Sequence, residues 1–142
     1  VTLLKPEEVL PHRPPFLFVD EILEIVPGES ATAIWRLSGS EAFFTGHFPN
    51  RPTLPGVLMC EAIAQVGALA VLTDERYEGK LPLFGGINRA RFRRQVVPGD
   101  TLTIEVQMTR LSARAGKGEG QASVGNELAA SCELMFVIVD GA

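Results

Sequence analysis

From Gly56 to Leu72 the chain reads GVLMCEAIAQVGALAVL, with no proline and one carboxylate, Glu61. The ten residues before it, GHFPNRPTLP, hold three prolines. Proline fixes φ and lacks an N–H, which keeps such a stretch out of helices and central strands. The pattern predicts a rigid loop feeding a buried helix. A helix apolar all round needs cover on more than one side, so the remaining sequence is read as that cover. The run sits at the lower edge of a membrane span. Glu61 and Gln65 near its middle, and the lack of basic flanks, predict a core helix instead.

The flanking sequence reads mostly as strands and turns. Lys5 to Leu10 predicts a short helix with Thr2 as its cap. Phe16 to Val26 predicts a strand ending at the Pro27-Gly28 turn, and Ser30 to Ser38 a second strand antiparallel to it. Asp74 to Lys80 is polar and reads as an exposed connection. Leu81 to Ala90 is short, apolar and broken by glycine; Arg91 to Val97 continues extended to the Pro98-Gly99-Asp100 turn. Thr101 to Leu111 alternates cleanly, with Leu102, Ile104, Val106 and Met108 on one face. Ala115 to Val124 is a Gly-rich strand, Gly125-Asn126 a hairpin turn, and Leu128 to Val139 a closing strand. One long helix with five to seven turn-linked strands predicts an α+β fold with an antiparallel sheet. A second copy of the chain is expected to cover what one curved sheet leaves bare.

With 142 residues and 46% hydrophobic content, the chain is expected to be a single domain, residues 1–142. A net charge of −4 gives no nucleic-acid signature. Cys60 and Cys132 read as buried free thiols in a reducing compartment. Lys5, Glu7 and Glu8 speak against an apolar signal segment at the start.

The chemistry-bearing candidates gather around the helix. His47 precedes it and Glu61 lies inside it. The first backbone N–H groups, at Gly56 and Val57, have no intrahelical acceptor and sit at the positive end of the helix dipole. A base, an acid and an oxyanion site suit proton abstraction α to a carbonyl. A carboxylate in an apolar helix is expected to have a raised pKa, which suits a proton donor. The competing reading of His47 is a structural hydrogen-bonder. His12, in LPHRPPF, reads as a loop hydrogen-bonder fixing Arg13 and Pro14. No histidine, cysteine or aspartate spacing marks a metal site. There is no nucleophile elbow, P-loop or dinucleotide fingerprint. Arg89, Arg91, Arg93 and Arg94 crowd four of the 13 basic residues into six positions. Alternation would put Arg89, Arg91 and Arg93 on one strand face, as a solvated surface or a docking patch for an acidic partner.

GHFPNRPTLPGVLMCEAIAQ resembles the signature of the FabZ-type 3-hydroxyacyl-[acyl-carrier-protein] dehydratases. LPHRPPFLFVDEILEIVPG, FGGINRARFRRQVVPGDTLTIEV and GNELAASCELMF resemble further blocks of that family, in register over nearly the whole chain. The resemblance implies a hotdog fold, a long helix wrapped by an antiparallel sheet, dimerised into a continuous sheet and commonly assembled as a trimer of dimers. It implies dehydration of (3R)-hydroxyacyl thioesters on acyl carrier protein to trans-2-enoyl thioesters, in the cytoplasm, without cofactor or metal, and with no nucleic-acid or membrane partner. His47 becomes the base, and Glu61, from the partner subunit, the acid. The Gly56 N–H, beside Val57, polarises the thioester carbonyl, and Gln65 supports Glu61. Phe48, Phe84 and Ile87 are expected to line the acyl channel, and Arg91, Arg93 and Arg94 to meet the carrier protein.

The sequence departs from the family pattern at Pro14, Asn88, Leu83 and the Gly-rich Arg114 to Gly120, none of them at His47, Gly56 or Glu61. Three other readings compete. A FabA-type dehydratase/isomerase would carry Asp at the helix carboxylate and be longer. A hotdog thioesterase would not need the GHFP histidine. A non-catalytic acyl-thioester-binding protein would not need both His47 and Glu61.

Overall fold

The computed structural model describes residues 4–141. Helix α2 spans Gly56–Leu72, with Pro55 as its N-cap. Proline suits that boundary because it has no N–H to satisfy. At the far end the Thr73 hydroxyl donates to the Leu69 carbonyl at 2.7 Å. Met59 to Val71 are buried apart from Glu61.

The cover is one six-stranded antiparallel sheet, in the order β1-β2-β4-β5-β6-β3. The strands are β1 (Glu21–Val26), β2 (Ser30–Arg36), β3 (Lys80–Phe92), β4 (Thr101–Leu111), β5 (Ala115–Val124) and β6 (Glu127–Asp140). A short helix α1 (Pro6–Val9) precedes them. The predicted cap Thr2 lies outside the described residues. The buried positions of β4 are the alternating Leu102, Ile104, Val106 and Met108, as period-2 patterning requires. Opposite them β5 presents glycine and alanine to the helix. A Cβ on Gly120 would collide with Ile63 of α2, so the small residue lets sheet and helix approach closely. This is a hotdog fold, a long apolar helix held in a curved antiparallel sheet.

Four expectations are corrected. The first strand begins at Glu21, not Phe16. Residues 16–18 instead bond to the Gln65 carboxamide: Phe18 N–H donates to Oε1 at 2.8 Å, and the Phe16 carbonyl accepts from Nε2 at 3.0 Å. Leu81 to Phe92 is one strand, because bulges at Phe84/Gly86 and Asn88/Arg91 absorb the irregular residues without ending the ladder. The same second bulge, with Arg89 at φ 53°, breaks the alternation, and the strand stops at Phe92; Arg89, Arg91 and Arg93 therefore do not form one strand face. Finally, Asp74 to Lys80 is not wholly exposed. It holds a 3-10 turn over Glu75–Tyr77, and the buried Tyr77 hydroxyl donates to the Ser112 carbonyl at 2.8 Å.

Strand β3 is a sheet edge. Leu83, Phe84 and Ile87 on it are exposed, as are Met135 and Val137 on its neighbour β6. An apolar, unpaired edge of this length is a template for another strand.

Candidate active site

Glu61 is placed by α2 at the wall of a cavity of about 250 Å³. The cavity is lined by Phe16, Leu83, Phe84 and Phe136 among others, and its only ionisable lining residues are Glu61 and His12. Burial pushes the Glu61 carboxyl above its usual value of 4.5, and a hydrogen bond from Gln65 offsets part of that rise. The physical cause is desolvation of the charged form. Gln65 is 1% exposed. Its Nε2 donates to Glu61 Oε2 at 3.0 Å and to the Phe16 carbonyl, while its Oε1 accepts from Phe18. The carboxamide is spent on the protein, so Gln65 holds Glu61 and leaves little to offer a substrate.

His47 lies at the other end of the Pro-rich loop, after a 3-10 turn over Ala42–Thr45. Its Nδ1 is 2.8 Å from the Thr53 carbonyl. A carbonyl oxygen only accepts, so Nδ1 carries the hydrogen and Nε2 presents a lone pair. The ring stacks on Phe48 with centroids 4.0 Å apart. This imidazole is fixed, in one tautomer, and able to take a proton.

The N-terminus of α2 opens on a groove bordered by Thr53, Gly56, Val57, Phe92, Arg93 and Arg94. The Gly56 and Val57 N–H groups have no acceptor among the described residues. Helix geometry puts Glu61 about 7.5 Å further along the axis and roughly 140° around it from Gly56. The two ends of the predicted machinery therefore face different sides of α2. His47 does not line the cavity of Glu61, and no hydrogen bond or ion pair joins them. Within one chain His47 stays outside the Glu61 cavity.

Of the expected channel residues, Phe84 lines the Glu61 cavity, while Ile87 and Phe48 are exposed and lie outside it. Among the arginines, Arg91 and Arg93 are exposed. Arg94 is committed internally, 2.9 Å from Asp100 and 3.4 Å from Glu127.

Sequence reasoning missed His12. Its Nε2 lies 3.7 Å from Glu61 Oε2. Its Nδ1 is buried with no hydrogen-bond partner, so the loop hydrogen bond expected of it is absent. Arg13 is fixed by backbone instead, donating to the carbonyls of Leu10 and His12. The signal available was weak: a histidine between prolines, 49 positions from the carboxylate it meets.

Residues 10–133 match the FabA-like domain family. The chain is 51% identical over 134 residues, 94% of its length, to the 3-hydroxyacyl-[acyl-carrier-protein] dehydratase FabZ of Staphylococcus aureus strain JH9, of which it covers 92%. The same identity and coverage hold for FabZ of strain Newman. The chain belongs to the FabZ-type dehydratase family. Two solved structures share its fold at 15% identity. The dehydratase heterocomplex ApeI:P from Xenorhabdus doucetiae aligns with a TM-score of 0.78 over 99% of this chain and 93% of that one. The sigma28-regulated virulence protein Cj0977 from Campylobacter jejuni aligns with a TM-score of 0.68 over 92% and 81%.

Proposed function

We propose that this chain removes water from (3R)-hydroxyacyl thioesters carried on acyl carrier protein, giving trans-2-enoyl thioesters in type II fatty acid synthesis. The observation that carries the reading is Glu61, a carboxyl kept above its usual pKa by burial in an otherwise apolar helix, with Gln65 holding it. Burying such a group costs free energy unless it is paired or used.

In this reading His47 Nε2 takes the α proton while the Gly56 and Val57 N–H groups receive the negative charge developing on the thioester oxygen. Glu61 then gives its proton to the 3-hydroxyl, which leaves as water. The elimination needs no metal or redox group. Because His47 lies outside the Glu61 cavity of its own chain, the working site joins His47 of one subunit to Glu61 of its partner. The subunits pair through the free edge of β3, where Leu83 and Ile87 stand exposed, and the dimers associate as trimers of dimers in the cytoplasm. No described helix is long and apolar enough to cross a membrane. Leu83, Phe84 and Phe16 line the acyl channel, with Phe48 and Ile87 joining it in the dimer. The exposed Arg91 and Arg93, with Arg94 beside them, dock the acidic carrier protein. Incubating the protein with a 3-hydroxyacyl thioester and following the ultraviolet absorbance of the conjugated product tests the reading; no product would sink it.

A further inference from the structure

Once Glu61 has given up its proton, it must regain one before the next turnover. One carboxylate oxygen, Oε2, is bounded by the Gln65 amide at 3.0 Å and His12 Nε2 at 3.7 Å. The Gln65 amide cannot exchange roles as an acid. The other walls of the cavity supply no ionisable group: β3 contributes Leu81 to Phe84, β6 contributes Phe136, and α2 contributes Ala64 and Ala68. The neighbouring Arg13 guanidinium is turned to backbone carbonyls. Glu61 itself is 19% exposed, and His12, with a quarter of its side chain exposed, is the one other titratable side chain among the described residues within 4 Å of this oxygen.

We propose that His12 is a proton relay that recharges Glu61 between turnovers. Protonated from solvent, the imidazole passes the Nε2 proton to the Glu61 carboxylate and returns to its neutral form. The α proton leaves through His47 to solvent, so each cycle takes up one proton at His12 and releases one at His47. Prolines 11, 14 and 15 and the Arg13 bonds to the Leu10 and His12 carbonyls hold the loop. A small side-chain rotation closes 3.7 Å to hydrogen-bonding range. Burial lowers the pKa of His12, which favours handing the proton on over keeping it. The unpartnered Nδ1 also fits a ring that is not locked into one tautomer by a fixed acceptor, unlike His47.

The inference rests on Glu61 as the acid, so the test separates the two. Steady-state dehydration is measured for wild type, His12→Gln, His12→Ala and Glu61→Gln, each checked for melting temperature and oligomeric state. The assays use a bulky zwitterionic buffer with and without added imidazole. Both His12 variants are expected to lose about 10-fold or more in kcat with KM little changed. Imidazole should restore His12→Ala several-fold, leaving wild type and Glu61→Gln unmoved. An unchanged kcat in the His12 variants overturns the relay. So does a loss that imidazole does not relieve, because a merely structural histidine would behave that way. Full activity in Glu61→Gln would instead remove the acid assignment on which the relay depends.

Discussion

The Phe92 ring lies across the first turn of α2, so close that a Cβ on Gly56 would sit 2.9 Å from its Cε1 atom. Phe92 is half exposed and can swing outward, whereas the helix backbone cannot move without disturbing its packing. Gly56 therefore leaves its own N–H approachable under an aromatic cover.

Replacing Gly56 with alanine should displace Phe92 and obstruct the helix N-terminus while the fold persists. The expected loss in kcat/KM is about 10²-fold, the size associated with removing one oxyanion donor. Adding Phe92→Ala should recover part of it. A double-mutant cycle measures that coupling, and strictly additive losses would argue against it.

His47→Ala and Glu61→Gln should each cost about 10²–10⁴-fold in kcat. If the site is shared between subunits, mixing the two inactive variants and letting subunits exchange should regain activity. Random pairing in a two-fold dimer restores one site in each heterodimer, or roughly a quarter of wild-type activity. Mixtures as inactive as their components would place both residues in the same subunit's site.

The raised pKa of Glu61 sets two pH dependences. As an acid it must carry its proton, so turnover should fall as pH climbs through that raised value. For stability, a folded-state pKa above the unfolded one gives a contribution complete below the unfolded value and lost as pH rises through the folded value. Glu61→Gln, free of the charged form, should melt higher than wild type in mildly alkaline buffer. That margin should close below about pH 4. Thermal unfolding across pH checks it.

Gln65→Leu removes three hydrogen bonds together and strands the buried Phe18 N–H and the part-buried Phe16 carbonyl. Each unsatisfied buried group costs about 1–3 kcal/mol, so denaturant midpoints should drop clearly. The loop before β1 should exchange its amide hydrogens faster than in wild type.

Reversing charge at Arg91 and Arg93 should raise KM for carrier-borne substrate about 10-fold at low salt and less at high salt, as screened surface charges do. A short pantetheine thioester should be unaffected. Equal effects on both substrates would rule out docking. Arg94, already held by Asp100 and Glu127, should affect stability more than docking.

Much of the fold was legible because its signals are local. The boundaries of α2 follow from Pro55 before it and Thr73 after it, and β4 follows from strict alternation of Leu102, Ile104, Val106 and Met108. Glu61 stood out because one carboxylate in an apolar helix violates the rule that buried charges are paired or used. Three features needed tertiary structure, because each depends on partners distant in sequence. Residues 16–18 leave the ladder because Gln65, 47 positions from Phe18, supplies the hydrogen bonds a strand would have made. The arginine face is broken by a bulge against β6, which alternation within β3 cannot reveal. His12 meets Glu61 because the segment from Pro11 to Pro15 folds over α2 near Glu61, Ala64 and Gln65. His47 and Glu61, fourteen residues apart, show the converse: the loop between them leaves His47 outside the Glu61 cavity, so proximity along the chain did not make a site within it.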